Sequence, residues 1–271
     1  HGDYKTVLVD VNENQAKKVS SQFKNAEYVG ADFNSKNDIK KAIQDCGYVL
    51  SAAPFYCNTL IASACLEMNV NYLDLTEDVS TTQTVQNLSQ GSKVAFIPQC
   101  GLAPGFITIA ANHLTKEFDT LHEVKMRVGA LPQFPHNRLK YNLTWSTEGL
   151  INEYCNDCEV IENGELKKVP PLEGLEALAI EGDTYEAFNT SGGLGTLAHS
   201  LAGKAKNMNY KSIRYPGHRD ILCTLLEDLK FKDHRDDLRK IFERSLPNTE
   251  QDVVVIFISV VGEINGKLSQ K

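Results

Sequence analysis

The chain predicts an α/β fold: a parallel sheet with crossover helices in the front part, then a second, mixed α/β region. Strand-like and helix-like segments alternate up to about residue 118, the signature of repeated strand-helix-strand units. The first strand-like run, Val7 to Val9, is β-branched and ends abruptly in Asp10, as suits a buried parallel strand. Beyond residue 118 a hairpin signal at Asn163-Gly164 and a late apolar run, Asp252 to Val261, mark a different architecture.

Five strands are expected in the front part: Thr6 to Asp10, Tyr28 to Ala31, Tyr48 to Ala53, Tyr72 to Leu75 and Val94 to Pro98. Amphipathic stretches separate them at Asn14 to Phe23, Asp38 to Cys46, Thr59 to Met68 and Val85 to Gln90. Each crossover is right-handed by default. This pattern is that of a Rossmann-type sheet entered at its second strand, because no strand with a glycine-rich turn precedes Lys5. In the 3-2-1-4-5-6 strand order the first strand is the middle one, between the strands at Thr6 and Tyr48. A gap there leaves buried backbone groups unpaired, at a cost of roughly 1–3 kcal/mol each. The natural protein is therefore expected to carry roughly 25 further residues before His1, with a strand and a Gly-rich turn onto a helix.

Composition limits the function classes. The 271 residues allow one large or two modest domains, and the net charge of -7 with no basic cluster excludes a nucleic-acid surface. The longest apolar run, Val253 to Val261, is about half the ~20 residues of a membrane helix, so no membrane partner and a cytoplasmic location are expected. The seven cysteines are odd in number and scattered, which fits free thiols. Cys155 and Cys158 have the spacing of half a zinc site, but nothing completes four ligands and no metal is expected.

Ligands of open α/β sheets bind at the C-terminal ends of the strands. Asp10 stands where an acid binds the adenosine ribose and repels a 2'-phosphate, favouring NAD over NADP; no arginine follows, since Val11 and Asn12 occupy those places. The same segment also suits a helix cap. Asp32 ends the next strand and could meet the adenine amino group. Ser51, Ala52, Ala53 and Pro54 end the third, where small side chains admit a dinucleotide backbone. Asp74, Thr76, Glu77 and Asp78 form an acidic cluster after the fourth. Gly101 and Gly105, in C-G-L-A-P-G-F, mark a tight turn onto a helix whose first amides could face an anion or carbonyl.

Several strings, in their order and spacing, resemble the saccharopine dehydrogenase family: Y-V-L-S-A-A-P-F, N-Y-L-D-L-T-E-D, I-P-Q-C-G-L-A-P-G-F, E-A-F-N-T-S-G-G-L-G-T-L and R-Y-P-G-H. The similarity is greatest to L-lysine 6-dehydrogenases and saccharopine dehydrogenase-like proteins. It implies an NAD(P)-binding Rossmann domain over residues 1–118 and an α/β substrate and dimerisation domain over residues 119–271, both incomplete at their outer ends. In the second domain we expect a strand at His122 to Leu131, a hydroxyl-capped helix from Trp145, and a hairpin over Val160 to Val169. Helices are expected at Leu194 to Ala205, Gly217 to Leu229 and Asp236 to Ser245.

The reaction this resemblance implies is oxidation of a CH-NH or CH-NH2 bond of a lysine-type amino acid by a homodimeric enzyme. Polyamine variants such as carboxynorspermidine dehydrogenase are an alternative, as is a catalytically silent NAD-binding sensor or assembly protein. Such chemistry needs an unprotonated amine, a cation for the α-carboxylate and a nicotinamide held against the reacting carbon. Asp74 and Glu77 are candidates to orient the ammonium or relay its proton, with His218 a second proton carrier. Arg214 could clamp the carboxylate, and Tyr141 and Trp145 could line the pocket. Gly192 and Gly193 could form a ligand-facing turn.

Overall fold

The computed structural model describes residues 4–271. They form two compact units: the chain up to Thr76 with Ser80–Cys100, and Glu77–Val79 with Gly101–Lys271.

The first unit alternates strand and helix as expected: β1 (Thr6–Asp10), α1 (Glu13–Ser20), β2 (Ala26–Gly30), α2 (Lys36–Ile43), β3 (Tyr48–Ser51), α3 (Phe55–Met68), β4 (Asn71–Asp74), α4 (Val79–Leu88) and β5 (Phe96–Ile97). All its strand pairs are parallel. They form two ladders, β1-β2 and β3-β4-β5, and among the described residues no strand bridges β1 and β3. The break falls at the position the sequence assigns to the middle strand. Both ladders nevertheless share one core, in which Val9, Val29 and Val49 pack on Ile39, Ile43, Ile61, Cys65 and Tyr72. Helix starts follow local chemistry: Asn12 caps α1 by accepting from Gln15 N, and Ser35 caps α2 by accepting from Asp38 N.

The second unit is built on an eight-stranded mixed sheet. After α5 (Phe106–Thr115) come β6 (Thr120–Pro132), α6 (Thr147–Cys155), β7 (Cys158–Glu162), β8 (Glu165–Val169), β9 (Glu176–Ile180) and β10 (Asp183–Asn189). Then follow α7 (Leu197–Leu201), β11 (Ala205–Arg214), α8 (His218–Cys223), α9 (Arg235–Ser245), β12 (Asp252–Ile264) and β13 (Lys267–Gln270). The sheet order is β13-β12-β6-β11-β10-β9, with β7 and β8 attached through β11. Asn163 and Gly164 both take positive φ between β7 and β8, so the two-residue hairpin turn forms as its sequence requires.

Three sequence expectations change. The helix read over Leu194 to Ala205 is only the short α7, and Ala205 instead opens β11, a central strand whose Met208, Tyr210 and Ser212 alternate with Asn207, Asn209 and Lys211. Strands β9, β10 and β13 were not foreseen: β9 and β13 are runs of five and four residues, too short for a clear periodic signal, and β10 buries five consecutive residues instead of alternating. The division between units falls at residue 100 rather than 118, because Ile107 and Ala111 of α5 are fully buried in a core with Val124, Met126 and Val260. All seven cysteines are free. Among the described residues no helix is long and apolar enough to cross a membrane.

Candidate functional site

In the first unit the expected cofactor residues lie at strand ends. Asp10 is half-buried at the end of β1, and its Oδ1 accepts from Asn12 N at 2.8 Å. The helix cap is thus Asn12, and the Asp10 carboxylate braces the turn into α1. Asp32 is exposed and braces the next turn, accepting from Asn34 N at 2.9 Å. Ser51 is buried and donates to Asn58 Oδ1 at 2.6 Å, which ties the end of β3 to α3. That leaves Ala52 and Pro54 as the exposed small surface and Ala53 half-buried.

Asp74 has a structural task instead of the expected proton role. It is fully buried, with Oδ1 accepting from Thr76 N and Gln99 N, each at 3.0 Å, and Oδ2 from Tyr72 Oη at 2.9 Å. Those bonds fasten the loop after β4 to the segment after β5. Burial, then the Asp74 charge, push the Tyr72 hydroxyl well above its usual pKa, so it stays a donor.

Gly101 and Gly105 serve the turn itself. Gly105 has φ +134°, and a Cβ there would stand 2.1 Å from Gly101 O. The expected free amides are engaged: Phe106 N donates to Gly101 O and Ile107 N to Leu102 O. This turn is a rigid packing element, not an open anion cradle.

In the second unit, residues far apart in the chain converge. Arg214, at the end of β11, is 3% exposed and lies 5.5 and 5.6 Å from the ring centres of Tyr141 and Tyr154. Its Nε donates to Tyr154 Oη at 2.7 Å and its Nη1 to Ile213 O at 2.8 Å, while Nη2 stands 3.9 Å from Glu153 Oε2. The expected carboxylate clamp is therefore turned inward and already engaged. His218 Nδ1 lies 2.8 Å from Leu139 O, which can only accept, so Nδ1 carries the proton and Nε2 accepts from Tyr154 Oη at 3.1 Å. The result is a directed chain: Arg214 donates to Tyr154, Tyr154 to His218, and His218 to the backbone.

Burial, reinforced by Arg214, lowers the His218 pKa to about 3, so it is a neutral packed residue and not the expected proton carrier. Tyr141 is 1% exposed and belongs to the core beside Leu150, Tyr154 and Phe188. Trp145 stays partly exposed, and Ser146 caps α6 by accepting from Gly149 N at 3.1 Å.

The acid that sequence reasoning missed is Glu153. It sits in the last turn of α6, where a glutamate next to Asn152 reads from sequence as a solvated side chain; the structure buries it to 6% exposure, together with every other residue of α6 except Glu148. Burial raises its pKa to about 8, against the pull of Arg214 and with the help of Glu77. Glu77 reaches this cluster from the loop after β4. A Cβ on Gly192, which has φ +86°, would meet Glu77 O at 2.5 Å, so the T-S-G-G string lets that loop pack closely. Asn152 Nδ2 donates to Asp78 Oδ1 at 3.1 Å, and Ser191 N donates to Glu153 O at 3.0 Å. The loop carrying Glu77 and Asp78 is thus held by α6 and by the segment after β10.

A parallel α/β unit followed by a mixed-sheet unit with a buried acid-guanidinium cluster defines a class of two-unit α/β chains. The particular family follows from comparison with known proteins: the saccharopine dehydrogenase NADP binding domain matches residues 1–97, and the saccharopine dehydrogenase C-terminal domain matches residues 101–269. The chain belongs to the saccharopine dehydrogenase family. It is 21% identical over 239 residues to alpha-aminoadipic semialdehyde synthase of Arabidopsis thaliana, covering 82% of this chain and 22% of that protein. The mitochondrial alpha-aminoadipic semialdehyde synthase of Mus musculus is 23% identical over 163 residues, 53% of this chain and 17% of that protein. The chain thus spans about a fifth of the length of these relatives.

Among solved structures, the apo saccharopine dehydrogenase (L-Glu forming) from Saccharomyces cerevisiae aligns with a TM-score of 0.67 at 16% identity, over 86% of this chain and 54% of that one. The homospermidine synthase from Legionella pneumophila, in complex with NAD, aligns at 0.54 and 12% identity, over 99% and 78%. Both likenesses are of fold.

Proposed function

We propose that this chain is part of an NAD(P)-dependent oxidoreductase acting on the CH-NH or CH-NH2 bond of a lysine-type amino acid, working as a homodimer. The observation that carries the reading is the coexistence, in one chain of this family, of an acid at the rim of the first sheet and a buried acid-guanidinium cluster in the second unit.

Asp10 would hold the adenosine ribose hydroxyls, Asp32 would meet the adenine amino group, and Ala52 and Ala53 would admit the dinucleotide backbone. The charge of Asp10 disfavours a 2'-phosphate, so NAD is the preferred form. A nicotinamide held there would supply the hydride acceptor for oxidation of the carbon bearing nitrogen. Glu77 orients the substrate ammonium and takes its proton, since the amine must be neutral before hydride can leave. Arg214, fixed by Tyr154 and the Ile213 carbonyl, places positive potential beside the Glu153 carboxyl. Trp145 covers the substrate.

The reading is tested by titrating NADH fluorescence, then following nicotinamide absorbance with L-lysine, saccharopine and polyamine acids. Turnover on a lysine-type substrate supports it. Cofactor binding without turnover on any of them refutes it and favours a silent sensor. Light scattering at defined concentration tests the dimer.

A further inference from the structure

Gly149 stands in the first turn of α6 with no backbone reason to be glycine. Its φ lies outside the left-handed region, its amide is already capped by Ser146 Oγ at 3.1 Å, and glycine forms helices less well than alanine. What the position requires is space. A Cβ on Gly149 would stand 2.5 Å from Trp145 Cζ3, 3.0 Å from Trp145 Cη2 and 2.9 Å from Glu77 Oε1. The indole ring and the carboxyl oxygen thus crowd the volume that one methyl group would fill. A second glycine, on a separate segment, makes room for the same acid: a Cβ on Gly192 would meet Glu77 O at 2.5 Å and Glu77 Cβ at 3.1 Å. Trp145 keeps 36% of its surface exposed, so the pair is reachable from solvent. A carboxyl oxygen accepts N–H bonds and an aromatic ring attracts a cation; side by side they suit an alkylammonium group.

We infer that Gly149 is a positioning residue for the amine: its missing side chain lets Trp145 and Glu77 close into a seat for the alkylammonium end of the substrate. The inference rests on the amine-oxidising reading and deepens it, by naming the position that sets the spacing between ring and carboxyl. Gly149 acts through those two side chains. The atoms that an added methyl group would strike are the ends of side chains and not backbone, so Gly149→Ala keeps the fold and spoils the seat.

The test uses the full-length protein and the emission of Trp145, the one tryptophan of this sequence, with Trp145→Phe as baseline. Gly149→Ala should fold, shift that emission, raise the KM for L-lysine or saccharopine, whichever is turned over, roughly tenfold, and leave NADH affinity within about twofold. In the wild type, with ADP-ribose filling the dinucleotide site so that no hydride leaves, the same amine should shield Trp145 from acrylamide quenching. Should Gly149→Ala fail to fold, this shielding decides alone. A folded Gly149→Ala with unshifted emission, with unchanged KM or with NADH affinity falling in parallel overturns this proposal and leaves the amine reading standing. Quenching of Trp145 that a turned-over amine does not alter has the same consequence. Turnover of no lysine-type amine overturns both.

Discussion

Replacing Glu153 by glutamine should change how stability depends on pH, with no ligand present. In the folded protein the carboxyl binds its proton up to about pH 8, whereas the usual value is 4.5. The sign follows from linkage: the folded state holds the proton more tightly, so its stabilising contribution is complete below the unfolded pKa and lost as pH climbs through the folded one. At about 1.36 kcal/mol per pH unit, the interval from 4.5 to 8 bounds the loss at on the order of 5 kcal/mol. Between about pH 5.5 and 8.5 the wild type should fall by on the order of 3 kcal/mol relative to the glutamine variant, which copies the protonated shape but cannot ionise. Urea unfolding at a series of pH values measures both curves. Curves that stay parallel across this range would refute the claim that Glu153 is held protonated by burial.

Arg214→Met should destabilise by about 1–3 kcal/mol in urea unfolding, because it removes the donor to Tyr154 Oη and to the Ile213 carbonyl and leaves these buried acceptors unsatisfied; an unchanged stability would mean the cluster is wetter than its burial implies. Gly105→Ala should lower stability by roughly 3 kcal/mol or more, since its Cβ would lie 2.1 Å from Gly101 O at a positive φ; an unshifted melting temperature would contradict the turn geometry. Asp10→Ser should weaken NAD binding by about tenfold and shift preference toward NADP, by loss of a charged hydrogen-bond acceptor. An unchanged ratio in paired fluorescence titrations counts against the ribose assignment.

The amino-acid order determined whatever is decided within a few residues. β1 ends at Asp10 as read, Ser146 caps α6 through Gly149 N, and Asn163-Gly164 turns the β7-β8 hairpin, because each depends on backbone preferences of adjacent residues. The parallel alternation of the first unit was legible for the same reason, as was the place where its two ladders separate. Strand β11 was not, since it gains its identity from pairing with β6 and β10, and its polar residues become strand-forming only between those neighbours. The site divided in the same way. Asp74, Glu77, Arg214 and His218 were all picked out by residue type, and tertiary contacts then gave Asp74 and His218 their structural partners and turned Arg214 inward. Glu153 looked like surface. Its proton affinity is set by exclusion of water and by an arginine on another strand, and Arg214 meets Tyr154 across 60 residues of chain. Desolvation and long-range charge pairing arise only when the chain closes on itself, so the fold and not the sequence pattern chose which acid would hold the proton.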